Sequence, residues 1–189
     1  YDQAAARTST RFADMLASRI RDTGLRVEWI LDTHVHADHL TAMAYLKSQI
    51  GGTTGIGRHV TTVQSMFRDF YNLPRNFPAD GSQFDRLLDD GETIKVGAIE
   101  IRVMHTPGHT PACSVYVAGD AAFIGDTLCM PDYGTARCDF PGGDARTLYR
   151  SVQRILALPP ETRLFTAHDY APGGRPYAWE ATVAEQTKS

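Results

Sequence analysis

Three imidazoles and a carboxylate crowd into Thr33-His34-Val35-His36-Ala37-Asp38-His39. Imidazole and carboxylate are ligands common to zinc, iron and manganese. Where the chain is extended, alternate side chains project to one side, so His34 and His36 point together. Asp38 and His39 can curl back as a following helix begins. A solvated loop with chance histidines is the plain alternative, but the 189-residue chain holds only seven histidines in all. Their concentration here points to a metal centre.

Three further segments offer matching groups. In His105-Thr106-Pro107-Gly108-His109-Thr110, Pro107-Gly108 marks a tight turn that aims His109 inward. His105 lies ahead of the turn and reads as structural. Gly125-Asp126-Thr127 follows the apolar run 121–124, where Asp126 serves either a metal or a turn. Ala167-His168-Asp169-Tyr170 follows the apolar run 164–166. His59 has no such context and reads as a surface residue near a helix start. Four segment ends thus each present a histidine or an aspartate. Metal sites are assembled in this way, because a rigid sheet fixes the geometry of the loops at its edge.

The elements that must position these groups follow from pattern and punctuation. Ser9 or Thr10 caps a first helix with Phe12, Met15, Leu16 and Ile20 on one face and Gly24 as its stop. Residues 25–31 read as a buried strand. Helices are expected over 41–50, with Met43, Leu46 and Ile50 inward, and over 62–71. A short strand near 55–56 separates them, and 72–83 reads as a loop. Alternation around Gly97-Ala98 and Gly119-Asp120 marks two hairpins, 93–96 with 99–104 and 114–117 with 121–124. Asp144 caps a helix carrying Leu148, Val152, Ile155 and Leu156, stopped by Pro159-Pro160. A last strand at 164–166 delivers His168, and the chain from Trp179 reads as helical. Hairpins mixed with flanking helices argue against a simple parallel doubly wound sheet.

Apolar residues make up 42% and charged residues 22%, ordinary values for a globular chain of one domain, here 1–189. A net charge of −3 gives no reason to expect nucleic acid or an anionic membrane as partner. No apolar run approaches the roughly 18 residues that span a bilayer, and no signal pattern opens the chain. Cys113, Cys129 and Cys138 are too few and scattered for a disulfide framework and read as buried structural thiols. The cytoplasm is the expected compartment.

Taken in order, His34, His36, Asp38, His39, His109, Asp126 and His168 resemble the signature of the metallo-β-lactamase superfamily, HxHxDH followed by a distant His, Asp and His. The resemblance covers about residues 25–175. It implies an α/β (α+β) fold, an αββα sandwich with the metal site at one edge of two facing sheets. Class B1 β-lactamases lack the final His of the first motif and carry Cys where Asp126 stands. Thr33–His39, Thr106–Thr110 and Gly125–Thr127 are shared by glyoxalase II thioesterases and persulfide dioxygenases. The stretch 135–143, Thr147-Leu148-Tyr149, Ser151-Val152 and His168-Asp169-Tyr170 are similar to the dioxygenases, in particular to bacterial ones of the β-lactamase-like hydrolase type. Only 33 residues precede His34. The chain is therefore expected to lack the family's usual N-terminal strands, to be a fragment or trimmed at both ends, and to leave a sheet edge open. The loop between Asp126 and Arg137 is slightly longer than in the animal and plant enzymes.

The dioxygenase resemblance implies one Fe(II) held by His34, His109 and Asp126, with His36, Asp38, His39 and His168 orienting ligands and moving protons. It implies glutathione persulfide and O₂ as substrates and sulfite and glutathione as products, a reaction that detoxifies hydrogen sulfide. Arg137 is the candidate partner of a glutathione carboxylate, its alternative being an ion pair with Asp139. Tyr170 either contacts substrate or is an ordinary buried tyrosine. The rival is a dinuclear zinc thioester hydrolase. In it His34, His36 and His109 hold one Zn(II), Asp38, His39 and His168 hold the second, and Asp126 bridges. A metal-binding or sensing module without catalysis is the third reading. A homodimer is compatible with all three.

Overall fold

The computed structural model describes residues 2, 4–35 and 40–188. Helix α1 (Arg11–Asp22) leads to strand β1 (Trp29–Asp32), helix α2 (Met43–Ile50), strand β2 (Thr53–Gly57), helix α3 (Val60–Phe70) and strand β3 (Arg86–Leu88). Strands β1, β2 and β3 form a parallel sheet in that order, with β1 at one edge. Parallel neighbours require crossovers, and α2 and α3 supply them.

A six-stranded sheet follows in sequence order: β4 (Thr93–Val96), β5 (Ile99–His105), β6 (Ser114–Ala118), β7 (Ala121–Gly125), β8 (Arg163–Thr166) and β9 (Glu180–Thr182). Its first four strands are antiparallel, joined by tight turns at Gly97 and Gly119 and by the loop between β5 and β6. Helix α4 (Ala145–Leu156) crosses between β7 and β8, which pair parallel. Asp144 caps α4, its carboxylate accepting the N–H of Thr147 at 2.7 Å. A capping box between Thr182 and Glu185 starts the short α5 (Val183–Gln186).

The layering follows from what each face buries. Leu88, Ile94, Val103 and Tyr116 are buried together with Trp29, Leu31 and Ile101 against them, so this cluster joins the two sheets face to face. Leu148, Val152 and Ile155 of α4 and Val183 of α5 cover the other side of the large sheet at Val115, Ala122, Ile124 and Leu164. Val60 and Val63 of α3 cover the small sheet at Ile56. The order is helix, sheet, sheet, helix. Ser114, Val115 and Tyr116 are all buried because β6 is covered on both faces. Cross-ties fix the sheets: the Tyr116 hydroxyl donates to the Asp32 carbonyl at 2.8 Å and the Ser114 N–H to the Thr33 carbonyl at 2.9 Å.

Four expectations need correction. Residues 25–28 lie outside β1 and Leu25 is 67% exposed, so the buried strand is shorter than its apolar run. Phe12, Met15 and Leu16 stand largely in solvent and only Ala17 of α1 is buried. Strand β3 was not expected, because Arg86-Leu87-Leu88 is too short to show alternation. Residues 180–182 form β9 rather than helix, since the Thr182 cap fixes the helix start one residue later. Among the described residues, no helix is long and apolar enough to cross a membrane.

Candidate metal centre

Four strand ends at one edge of the sandwich deliver the site. His34 follows β1, His109 lies in the loop between β5 and β6, Asp126 follows β7, and His168 lies two residues beyond β8. One ligand atom from each of His34, His109 and Asp126 lies within 4.8 Å of the others, and all three residues are buried. Asp126 Oδ2 stands 3.4 Å from His34 Nε2 and 3.6 Å from His109 Nε2. Good N–H···O hydrogen bonds are shorter, about 2.7–3.2 Å. Two donors each about 2.1 Å from a shared cation, at tetrahedral or octahedral angles, stand about 3.0–3.4 Å apart. The observed spacing fits a shared ion better than a hydrogen-bonded triad.

The far nitrogens of both rings are committed. His109 Nδ1 donates to the Arg137 carbonyl at 2.6 Å, which leaves the Nε2 lone pair facing Asp126. His34 Nδ1 meets the Thr33 hydroxyl at 3.0 Å. Such contacts set the tautomer and orientation of a metal-binding imidazole. The turn that carries His109 is braced by α4: Ser151 Oγ donates to the Pro107 carbonyl at 2.6 Å, and the Asp144 N–H to the Gly108 carbonyl at 2.9 Å. At Gly125, φ is +55° and a Cβ would stand 2.6 Å from Thr33 Oγ1, so only glycine lets β7 approach His34 this closely.

His168 plays a different part. Its Nδ1 donates to Asp126 Oδ1 at 2.6 Å, the carboxylate oxygen turned away from His34 and His109, and its side chain is half-exposed. The remaining residues of the first motif, His36, Asp38 and His39, lie outside the described residues.

A pocket of about 400 Å³ opens beside the triad, lined by His109, Asp126, Cys129, Tyr133, Thr135, Ala136, Arg137, Phe140, His168 and Tyr170. Arg137 and Tyr170, the two candidate substrate contacts, both line it. Tyr170 is 58% exposed, which removes the buried-tyrosine alternative. Arg137 makes a two-point fork with Asp139 at 2.6 and 2.8 Å while its guanidinium lies 4.5 Å over Phe140. The ion pair is therefore present, on a side chain that also faces the pocket. The fork holds the Asp139 carboxyl down at about 2.

His105 is structural as expected: its Nε2 donates to the Pro111 carbonyl at 2.8 Å and its ring stacks on His59 at 4.1 Å. His59 is exposed at the start of α3. Cys113 and Cys129 are buried, and burial pushes each thiol up to about 11, well away from a reactive thiolate. Cys138 is half-buried. Sequence reasoning missed Cys129 and Tyr133 as pocket residues. No local pattern in the sequence marks either residue as lining a pocket.

A family model of the metallo-beta-lactamase superfamily matches residues 6–168. The chain belongs to that superfamily. It is 57% identical over its whole length to a probable metallo-hydrolase of Burkholderia pseudomallei, of which it covers 67%. It is 54% identical, again over its whole length, to a beta-lactamase hydrolase-like protein of Xylella fastidiosa, of which it covers 44%. It is 34% identical to the mitochondrial persulfide dioxygenase ETHE1 of Homo sapiens, over 82% of this chain and 54% of that protein. The chain thus spans from under half to about two thirds of these relatives. Among solved structures, ETHE1 from Myxococcus xanthus superposes with a TM-score of 0.73 at 30% identity, over 94% of this chain and 68% of that one. The superfamily's sandwich is the fold described above.

Proposed function

We propose that this chain is an iron-dependent persulfide dioxygenase that oxidises glutathione persulfide with O₂ to sulfite and glutathione. The observation that carries the proposal is the buried set of His34, His109 and Asp126, with ligand atoms within 4.8 Å of one another, and within it the carboxylate of Asp126. Its Oδ2 faces His34 and His109, while its Oδ1 accepts from His168 Nδ1 at 2.6 Å. A two-histidine, one-carboxylate set is the facial triad of non-haem iron oxygenases. The similarity to ETHE1 persulfide dioxygenase supports the same reading.

Iron held by His34, His109 and Asp126 would supply the redox chemistry and open positions for substrate. The remaining work belongs to the chain's own groups. Arg137 presents a fork that matches a carboxylate, and the glutathione persulfide carboxylate would share or displace Asp139 there. Tyr170 offers a hydroxyl at the pocket wall. His168 holds a proton on Nδ1 against Asp126 and keeps that carboxylate turned toward the two imidazoles. In balance, one persulfide, one O₂ and one water give one thiol, one sulfite dianion and two protons.

A dinuclear zinc thioester hydrolase is the second reading, favoured by the hydrolase names of the more similar relatives. The two separate in one experiment. Protein loaded with iron or with zinc is given glutathione persulfide in an oxygen electrode, with sulfite measured, and a glutathione thioester in a parallel assay. Oxygen consumption matched by sulfite, in the iron form only, is the expected result. Thioester cleavage by the zinc form without oxygen uptake overturns the dioxygenase reading.

A further inference from the structure

A single guanidinium ties together two pocket loops. Arg175 donates to Asp132 through Nε at 2.6 Å and Nη2 at 2.8 Å, and to Asp169 through Nη1 at 2.6 Å and Nη2 at 2.7 Å. The Asp169 side chain is buried and also accepts the N–H groups of Ala171 at 3.1 Å and Ala178 at 2.7 Å. Each aspartate is followed in sequence by a tyrosine that lines the pocket, Tyr133 after Asp132 and Tyr170 after Asp169. The two rings stack at 4.4 Å between centroids, 20° from parallel, and Tyr170 lies 6.2 Å from the His168 ring in a similar plane. The result is an aromatic ladder running from the hydrogen-bond partner of Asp126 to the pocket mouth.

About half of each tyrosine remains exposed, so core packing does not account for the pair. Charge-assisted two-point forks are strong and directional, and these tie the exposed Asp132-Tyr133 stretch to the segment that follows His168. Their consequence falls on the pocket wall. We propose that Tyr133 and Tyr170 together form a substrate-contacting wall and that Arg175 is the positioning residue that holds them stacked. The ligand class, a glutathione-type tripeptide lying across the rings with its sulfur toward the triad, rests on the function proposed above.

The test compares Tyr133→Ala, Arg175→Met, Arg175→Lys, Asp132→Asn and the Tyr133→Ala/Arg175→Met double variant. Each is measured for oxygen uptake with glutathione persulfide and for binding of S-methylglutathione, which cannot react. Tyr133→Ala is expected to raise KM and Kd about fivefold, the size of one aromatic contact, with kcat and iron content unchanged. Arg175→Met should raise both by the same factor, and the double variant no further than either alone. Arg175→Lys should not restore binding, because an ammonium cannot form the fork. Asp132→Asn releases the clamp at its exposed end and gives the same readout if Arg175→Met does not fold. Unchanged KM and Kd in Tyr133→Ala, or in Arg175→Met with only a lowered Tm, overturn the wall and leave the dioxygenase reading standing. Weakened S-methylglutathione binding in a protein without oxygen uptake overturns the dioxygenase reading and leaves the wall standing. A wild-type protein that neither binds the analogue nor takes up oxygen overturns both.

Discussion

Replacing Gly125 by alanine tests how closely the metal centre depends on the approach of β7 to β1. The added Cβ would lie 2.6 Å from Thr33 Oγ1, 2.9 Å from Thr33 Cβ and 3.4 Å from His34 Nδ1, at a φ of +55°. An L side chain in that left-handed conformation costs about 1–2 kcal/mol. Crowding in a packed region adds about 1–3 kcal/mol. Thr33 is poorly placed to yield, since its carbonyl accepts the Ser114 N–H and its hydroxyl contacts His34. The expected loss is therefore about 2–5 kcal/mol in total. Gly97→Ala is the control: φ is +57° but nothing lies within 4 Å of its Cβ, so only the strain of about 1–2 kcal/mol applies. Shifting Thr33 moves His34, and iron affinity should fall about 10- to 100-fold, as when a supporting contact of a ligand is lost. Urea unfolding of both variants and competitive iron titration against a chelator measure the two effects. The reasoning is refuted if Gly125→Ala is no less stable than Gly97→Ala and binds iron as the wild type does.

Asp85 accepts from Lys47 and from the N–H and hydroxyl of Thr54, and these contacts hold its carboxyl down at about 2, against an ordinary 3.8. A depressed carboxyl stabilises the fold above the ordinary value and loses that contribution as pH falls through the depressed one. Asp85→Asn should therefore flatten the fall in urea midpoint between about pH 4 and pH 2, and parallel curves for variant and wild type would contradict this. Ile155 is fully buried between α4 and the large sheet. Ile155→Ala should cost about 2–5 kcal/mol in urea unfolding while iron per folded chain stays unchanged. His105→Gln removes the ring that meets the Pro111 carbonyl and should cost about 1 kcal/mol with metal stoichiometry intact. A drop in bound metal would show that His105 is more than structural.

Much of the site was legible because metal chemistry restricts residue types and because ligands sit at strand ends, where an apolar run gives way to a polar turn. His34, His109 and Asp126 each stand at such a transition. So does His168, although its type alone does not distinguish a ligand from the hydrogen-bond donor to Asp126 seen here. The hairpins 93–104 and 114–124 were visible because glycine marks their turns and their strands alternate or carry β-formers. The Asp144 cap set the start of α4. What escaped detection depends on tertiary context. Three residues at β3 carry no periodicity, and their strand exists only because Gly55, Ile56 and Gly57 offer a parallel edge. The apolar face of α1 reads as core-facing in sequence, whereas in the fold Phe12, Met15 and Leu16 remain largely exposed. Tyr133 became a pocket residue through Arg175, which is 42 positions away in sequence. No local pattern encodes that pairing.

Anomalous diffraction at the iron edge, from crystals of the iron-loaded protein, locates the ion directly. The account predicts a single peak, about 2.1 Å from His34 Nε2, His109 Nε2 and Asp126 Oδ2, with His168 still bonded to the other carboxylate oxygen. Two peaks bridged by Asp126, or a peak that leaves any of these three atoms out of coordination distance, would contradict it.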